Sequence, residues 1–393
     1  MELIITEITK PPPAEHIKPS ICLNMIVKNE AKNIVDTLEN LCKYFIFDYW
    51  VICDTGSSDQ TKELISDFFL RKGIIGELLE HEWIDFAHNR SKALACAFEK
   101  TDYLLIFDAD DRISGNFILP NAGVLNRDLY NLKIGKGFEW QRPLLMTNRK
   151  RWCFKGVTHE YLSPIDHMDR GSETIEGNYH IQPGTFGCRS QNPNKYYDDA
   201  IVLKNAFEKE MNDPAGDKCL ASRYAFYCAQ SYKDSGNNIE SIEWYKKVVL
   251  ELDNWAQEKY YACLMLGNLY NSIGDNENAF KYWLKTIEFD PERIEGIVPA
   301  MEYLRSKGDH LMVNLLYHKF KNYNKNISVS SISNKLFLDT TKYHDYIEYN
   351  NSICAFYVGD KQSGYECCKL IIENNKLPAF LIEQTKSNIK FYL

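Results

Sequence analysis

Three of the first four apolar runs in this chain stop at a carboxylate, and that pattern constrains the fold more than any other feature of the sequence. Ile21 to Val27 runs into Asn29 and Glu30, Trp50 to Cys53 ends at Asp54, and Tyr103 to Phe107 ends at Asp108-Ala109-Asp110-Asp111. Gly73 to Leu79 supplies a further strand. Between the runs lie stretches of helical spacing: Glu30 to Leu41 through Ile34 and Leu38, Thr61 to Phe69, and His88 to Glu99. Short apolar runs alternating with amphipathic stretches predict β-α-β units and a mostly parallel sheet. In open α/β sheets ligands bind beyond the carboxyl ends of the strands, so side chains collected there are read as chemistry before packing.

The pattern changes from about Ser222 onward, where helix pairs recur with a period near 34 residues. Ala229, Tyr232, Gly236 and Tyr245 return in type as Gly267, Tyr270, Gly274 and Trp283, then through Met301, Leu304, Gly308 and Tyr317, and more weakly through Ala355, Gly359 and Cys368. Such units resemble tetratricopeptide repeats. The first spacing is about four residues too long, and Lys319 to Thr341 breaks the pattern as a loop or irregular helix. An unrelated helical bundle is the other reading.

At 393 residues the chain exceeds what one hydrophobic core usually serves, so two domains are expected. The expected division is an N-terminal leader over 1–18, an α/β domain over 19–195 with a mostly parallel, Rossmann-like sheet, and an all-α helical-repeat domain over 196–393. The formal charge of -8 excludes the broad basic surface that duplex nucleic acid or an anionic membrane requires, and favours a small anionic ligand in a local pocket. No apolar run reaches a membrane span, and the leader with Pro11, Pro12 and Pro13 lacks the stretch of a secretory signal, so the expected location is cytoplasmic. The cysteines, scattered without a CxxC pair inside apolar runs, are expected as buried free thiols.

Two carboxylates at i and i+2, where a strand gives way to a turn, can approach one hard cation that keeps sites for substrate phosphates. Asp108 and Asp110 therefore imply a divalent metal on a diphosphate. Alone, an Asp-x-Asp is weak; placed after a buried strand in this order of elements, it becomes specific. Asn24-Met25-Ile26-Val27-Lys28-Asn29-Glu30, Cys53-Asp54-Thr55-Gly56-Ser57-Ser58-Asp59-Gln60-Thr61, Trp83-Ile84-Asp85-Phe86-Ala87-His88-Asn89-Arg90 and Phe107-Asp108-Ala109-Asp110 together resemble glycosyltransferase family two on a GT-A fold, over roughly Pro19 to His180.

The resemblance implies a metal-dependent, inverting transfer of a hexose-type sugar from a nucleotide sugar, a UDP-sugar for preference, to a hydroxyl of a glycan or protein, with Mn2+ or Mg2+ as the ion. It places Asp54 on the nucleotide base and Glu30 by the base or ribose, with Val27, Asn29 and Ala109 in the same nucleotide-sugar pocket. Asp110 becomes the direct metal ligand, and Asp108 reaches the ribose or the metal and its waters. Asn89 and Arg90 line the nucleotide; a guanidinium there either grips the diphosphate or pairs on the helix surface with Asp85 or Glu99. Beyond Arg142, Gly156-Val157-Thr158-His159-Glu160 resembles a Gly-x-x-His-Glu segment of one subgroup, which makes Glu160 the catalytic base and places His159 beside it, orienting the base or touching the diphosphate. His180 corresponds to a late histidine completing an Asp-Asp-His metal shell, and Gly184 to Arg189 to a lid over the donor.

Two competing classes remain. A nucleotidyltransferase would carry a glycine- and lysine-rich loop after the first strand, which Val27-Lys28-Asn29-Glu30 is not. A catalytically inactive nucleotide-binding scaffold would use the repeats to recruit a partner or for self-association. The repeats offer a concave surface for a peptide, a protein acceptor or a second subunit.

Overall fold

The computed structural model describes residues 18–120, 125–184, 192–326 and 335–393. Its first part is a β-α-β succession: β1 (Ile21–Val27), α1 (Ile34–Leu41), β2 (Tyr49–Asp54), α2 (Thr61–Lys72), β3 (Gly76–Glu80), α3 (Phe86–Ala97) and β4 (Tyr103–Ile106). These four strands lie parallel in the order β3-β2-β1-β4. Both sheet faces are covered, which explains why the strands are apolar throughout. Ile21, Leu23, Met25 and Val27 point to one face and pack with α1 and α2 through Leu38 and Phe69, while Cys22 and Leu104 on the other face meet Ala93, Leu94 and Ala97 of α3. Asn24 is the polar exception in β1, and its amide donates to the carbonyls of Val51 (3.1 Å) and Ala93 (3.0 Å), so its burial is satisfied.

The sheet then changes character. After β5 (Arg112–Asn116) come β6 (Leu129–Ile134), β7 (Phe138–Thr147), β8 (Trp152–Lys155), β9 (Tyr161–Pro164), β10 (Ser172–Thr174) and β11 (Asn178–Gln182). β7 joins β4 antiparallel and extends the sheet as β7-β6-β11-β5, while β8 and β9 form a separate hairpin. The N-terminal fold expectation, an α/β domain of the GT-A type, is met.

The second half is helical. α4 (Lys195–Asn212) packs on α5 (Lys218–Asp234), followed by α6 (Asn238–Leu250), α7 (Ala256–Ser272), α8 (Asn276–Phe289), α9 (Ile297–Ser306), α10 (His310–Asn326), and helices Tyr346–Tyr357, Lys361–Asn374 and Ala379–Asn388. The recurrent glycines do what their spacing suggests: Gly236, Gly274, Gly308 and Gly359 each sit at positive φ in the turn between the two helices of a pair. The next residue then starts the following helix: Asp275, Asp309 and Asp360 accept the backbone N–H of Asn278, Met312 and Ser363. Gly267 serves another purpose, since the indole of Trp283 lies where its Cβ would be, and α7 and α8 pack through that contact.

The expected irregularity from Lys319 is displaced. Helix α10 continues regularly to Asn326, and 327–334 lie outside the described residues, as do the leader up to 17 and the lid residues 185–191, among them Thr185, Gly187 and Arg189. Beyond the gap, β12 (Leu338–Asp339) leaves the helical half and adds antiparallel to the start of β7, with Leu338 opposite Glu139. Fully buried Arg293 fixes that strap by donating to the carbonyls of Leu336 (2.8 Å) and Phe337 (3.3 Å) while bonding Glu295 and Gln257. Phe337 then stacks on Phe138 at 5.5 Å. No described helix is long and apolar enough to cross a membrane. Every described cysteine is free, most are buried, and burial pushes Cys22 and Cys53 up to about 12.

Gly267→Ala places a methyl group against the indole of Trp283 with no room to relax between two packed helices, and is expected to destabilise by about 1–3 kcal/mol. Gly274→Ala meets nothing and suffers only from its positive φ, about 1 kcal/mol. Thermal melts should therefore show the larger drop for Gly267→Ala; the reverse order would mean that the α7–α8 contact is not tight.

Candidate active site

The site forms where β4 ends. Buried Phe107 leads into Asp108, and a turn closed by the Asp111 N–H on the Asp108 carbonyl (3.3 Å) returns the chain into β5. Thr37 of α1 donates to the Ala109 carbonyl, and Arg112 holds the same threonine and the Asn33 carbonyl, so the Asp108–Asp111 turn is pinned to α1. Ala109 is itself buried and acts through its backbone.

Arg90 occupies the centre. It projects from α3, is almost completely buried, and its fork reaches two carboxylates from different parts of the chain: Nη2 to Asp108 Oδ1 at 2.5 Å and Nε to Glu160 Oε1 at 2.7 Å. Arg142 of β7 approaches the other Asp108 oxygen at 3.0 Å and Asp111 at 3.8 Å. Burial works against the charge on Asp108, yet Arg90 and Arg142 outweigh it and hold the carboxyl well below its ordinary range. Burial likewise opposes the charge on Arg90, and Asp108 and Glu160 outweigh it, so the guanidinium stays protonated. Asp111 goes the other way: burial first, then the charge of Asp108, push it up to about 7. Arg90 is thus neither a surface charge paired with Asp85 or Glu99 nor an open diphosphate clamp. Asp85 instead caps α3 by accepting the His88 N–H.

Glu160 follows a turn with two positive-φ residues, Gly156 and His159. The helical half holds this turn. Tyr224 of α5 accepts the Val157 N–H (3.2 Å), Arg223 donates to the His159 carbonyl (3.1 Å), and the His159 ring stacks flat on Tyr227 at 4.2 Å. Expected as a neighbour of the base or of the diphosphate, His159 has its ring committed to that stack.

The other sequence-selected residues separate into groups. Val27, Asn29, Glu30 and Asp54 gather at the ends of β1 and β2. Thr55 donates to the Val27 carbonyl, Asn29 sits at φ 56 and accepts the Ser58 N–H, and Glu30 receives the Asn33 amide. Asp54 Oδ1 accepts the N–H groups of Gly56 (2.9 Å) and Ser57 (2.8 Å), while Oδ2 is buried without a partner among the described residues. Asn89 turns away from any ligand: its amide bonds the Glu82 carbonyl and the Ile84 N–H, stapling the approach to α3.

His180 is not brought to the aspartates. β11 runs antiparallel to β5 with Gln182 opposite Arg112 and His180 opposite Ser114, so the continuing register brings Gly184 rather than His180 to the Asp110 turn. Gly184 indeed donates to Asp111 (2.9 Å), and a Cβ on it would strike Asp110. Four extended residues separate His180 from that point, about 13 Å. Among the described residues no group of three His, Cys, Asp or Glu side chains stands ready to hold a metal.

Reasoning from sequence did not single out Asp111, Arg142, Arg223 or Tyr227 for roles. Arg142 and Asp111 lack a motif of their own, and the two α5 residues become visible only once the halves are docked. A cavity of about 720 Å3 opens from Asp108, Arg142 and Glu160 and continues between β7, β9 and α5. Its size lies in the range of small-ligand sites.

Arg90→Met leaves Asp108 and Glu160 buried without their shared cation, and is expected to destabilise by about 3–5 kcal/mol at neutral pH. Because Arg90 holds the folded Asp108 below its ordinary range, that stabilisation is present above about pH 4 and lost as the pH falls through the lowered value. Melting curves of variant and wild type should therefore converge in acid; a gap independent of pH would mean that the loss is one of packing.

Residues 22–159 match the family model "Glycosyl transferase family 2". No curated protein matches the chain. Among solved structures, TarS 1-349 of S. aureus in complex with UDP-GlcNAc is 13% identical, with a TM-score of 0.35 over 68% of this chain and 91% of that one. The mannosyltransferase PcManGT of Pyrobaculum calidifontis in complex with GDP-Man and Mn2+ is 12% identical, with a TM-score of 0.34 over 69% of this chain and 88% of that one. YrrB, a TPR protein with an unusual peptide-binding site, is 14% identical, with a TM-score of 0.32 over 50% of this chain and 92% of that one. The mixed α/β half of this chain is accordingly a glycosyltransferase domain, joined to a second half built of helix pairs.

Proposed function

We propose that the protein is an inverting glycosyltransferase that moves a hexose-type sugar from a UDP-sugar to an acceptor hydroxyl, with Glu160 as the base. The observation that carries the reading is the placement of Glu160 beside Asp108 across one buried guanidinium, at the open end of β4 and facing a cavity. Both carboxylates are thereby gathered on one edge of the guanidinium at the mouth of the cavity.

Charge supports a divalent cation. Asp108, Asp110, Asp111 and Glu160 gather here around Arg90 and Arg142, and an anionic diphosphate is held more readily beside such carboxylates when a cation comes with it. Asp110 is the carboxylate of this turn that would meet a hard ion such as Mn2+ or Mg2+, and Asp108, whose two oxygens are held by Arg90 and Arg142, would join it on exchanging one of those contacts. Such an ion would offset the charge developing on the leaving diphosphate. Because His180 lies away from the aspartates, it has no part in this reading. Asp54 Oδ2, buried and unpartnered, is the acceptor that suits an N–H of the base, with Val27, Asn29 and Glu30 beside it at the β1–β2 edge. Asn89 and His159 act through the loops they fasten.

In the transfer, Glu160 takes the proton of the acceptor hydroxyl as its oxygen forms the bond to the anomeric carbon. On the opposite face the bond to the diphosphate breaks, and the nucleoside diphosphate leaves with that electron pair. Arg90 fixes the direction of the Glu160 carboxylate by donating its Nε–H to it. The repeats resemble tetratricopeptide units and serve in this reading as a second wall to the site.

Glu160→Gln should lower transfer by about 10²–10⁴-fold while UDP still binds in manganese, because only the proton acceptor is lost. Equal loss of UDP binding would make Glu160 structural. Asp110→Ala should abolish the manganese dependence of UDP binding measured by calorimetry, and an unchanged dependence would remove the ion from this turn. A wild type that shows no metal-dependent UDP binding would favour the scaffold reading.

A further inference from the structure

The cavity at Glu160 does not extend toward the β1–β2 edge where Asp54 and Glu30 lie. It leads the other way, from Asp108 and Glu160 past Trp140 of β7 to α4, α5 and the start of α7. On α5 the lining residues Arg223, Tyr227, Gln230, Ser231 and Asp234 fall at spacings of three and four, a single stripe of the helix turned to the cavity. From this geometry we infer that the cleft is the acceptor site and that it takes a carbohydrate chain rather than a peptide. The inference rests on the glycosyl-transfer reading above and adds the acceptor class to it.

Position is the first argument. With the nucleotide at the β1–β2 edge, the reacting carbon lies near Asp108, and the group that attacks from the opposite face must approach from beyond Glu160. That approach is this cleft. Composition is the second. Its walls combine flat aromatic faces with hydrogen-bonding groups of both charges, Lys195, Arg223 and Lys335 beside Asp199 and Asp234, and with the neutral amide of Gln230. Trp255, 54% exposed just before α7, and Tyr196, 44% exposed on α4, present rings on one side, with Trp140 on the other. Exposed aromatics are usually scattered; here they converge on one cavity. The C–H face of a pyranose is weakly positive and lies well on the negative face of such rings, while its hydroxyls seek donors and acceptors at the rim. Gln230 lines the same wall, and its amide makes no hydrogen bond among the described residues; nor does the indole N–H of Trp255.

A peptide finds less to hold. Recognition by strand addition needs a free strand edge; β7 is closed by β4 at Leu145–Thr147 and by β12 at Phe138–Glu139, which leaves, among the described residues, the short stretch Trp140–Leu144, interrupted by Pro143 with no N–H to donate, and the short strand β9 beside it. The strap that closes the cleft is also fixed, since Arg293 binds the carbonyls of Leu336 and Phe337 from below. The site is a preformed slot with sugar-like complementarity.

The test uses the full chain on an array of neutral oligosaccharides, with a peptide array alongside, in the presence of UDP and manganese. Wild type should capture a subset of the oligosaccharides. Trp255→Ala and Gln230→Ala should weaken capture at least tenfold, whereas Phe380→Ala, which removes a still more exposed aromatic from the last helix, should not. Melting curves establish that each variant is folded. Capture of peptides alone, capture of nothing, or capture indifferent to both cleft variants overturns the inference. Release of sugar from UDP-sugars into water, followed in parallel, separates the two claims. Hydrolysis without oligosaccharide capture sinks the acceptor class alone, and capture without hydrolysis sinks the transferase reading while leaving a carbohydrate-binding cleft.

Discussion

The active end of this protein is organised by one buried guanidinium. Arg90 joins the end of β4 to the turn before β9 by donating to Asp108 and Glu160 at once. A buried carboxylate is expensive unless paired and hydrogen-bonded, and two of them sharing a small volume repel. One arginine answers both problems because its planar fork presents Nε and Nη2 in fixed directions; a lysine at this position would have one point charge for two partners. Much of the local structure exists to keep that side chain in place. Asp85 caps α3, Asn89 staples the segment before it, and Ala93, Leu94 and Ala97 pack the helix on the sheet, which leaves Arg90 little freedom.

The same requirement explains why the two halves of the chain are not independent. Glu160 belongs to the first half by sequence, yet its turn is held by α5 through Tyr224, Arg223 and Tyr227. A second attachment, β12 on β7, lies at the far side of the cleft and depends on Arg293 within the helical core. Two attachments on opposite sides of a cavity set its width. Loss of either would change the placement of the Glu160 turn as well as the shape of the slot, so the helix pairs help to set the geometry around Glu160.

How much of this could be read from sequence follows from the range of the interactions. The four parallel strands and the helices between them were legible because period-two and period-3.6 patterns are local, and so were the repeat glycines, each required by a positive φ in a turn. The carboxylates at strand ends were legible through the sheet rule. Partners were not. Arg90 was assigned to a diphosphate or to the helix surface because nothing local shows that Asp108 and Glu160 converge on it. Asn89 looked like a pocket residue in the same motif, although its amide serves the backbone of 82–84. His180 was placed by its order in the chain, but strand register decides which side chain meets the Asp110 turn, and the pairing of Gln182 with Arg112 assigns that place to Gly184. The strands after Asp111 escaped for a related reason: in β6 the alternation is clear, but nothing in it says that the sheet has reversed direction.

If the proposed transfer holds, an acceptor seated in the cleft would bear on the turn that carries Glu160. Tyr227 and Gln230 lie one turn apart on the same face of α5, and Tyr227 carries the His159 ring next to Glu160. A ligand that settles on Gln230 and Trp255 therefore rests on the helix that fixes the catalytic turn, within a packed interface that has little slack. Binding energy gained along the cleft would then be expressed at Glu160 as restricted motion, which on the proposed mechanism matters because a proton acceptor misplaced by an ångström forfeits much of its effect. The donor side offers no such link, since its residues at the β1–β2 edge hydrogen-bond mainly among themselves. On the proposed reading the architecture divides the labour physically: the sheet edge would hold the nucleotide, and the helix pairs would supply the rigidity against which an acceptor is aligned.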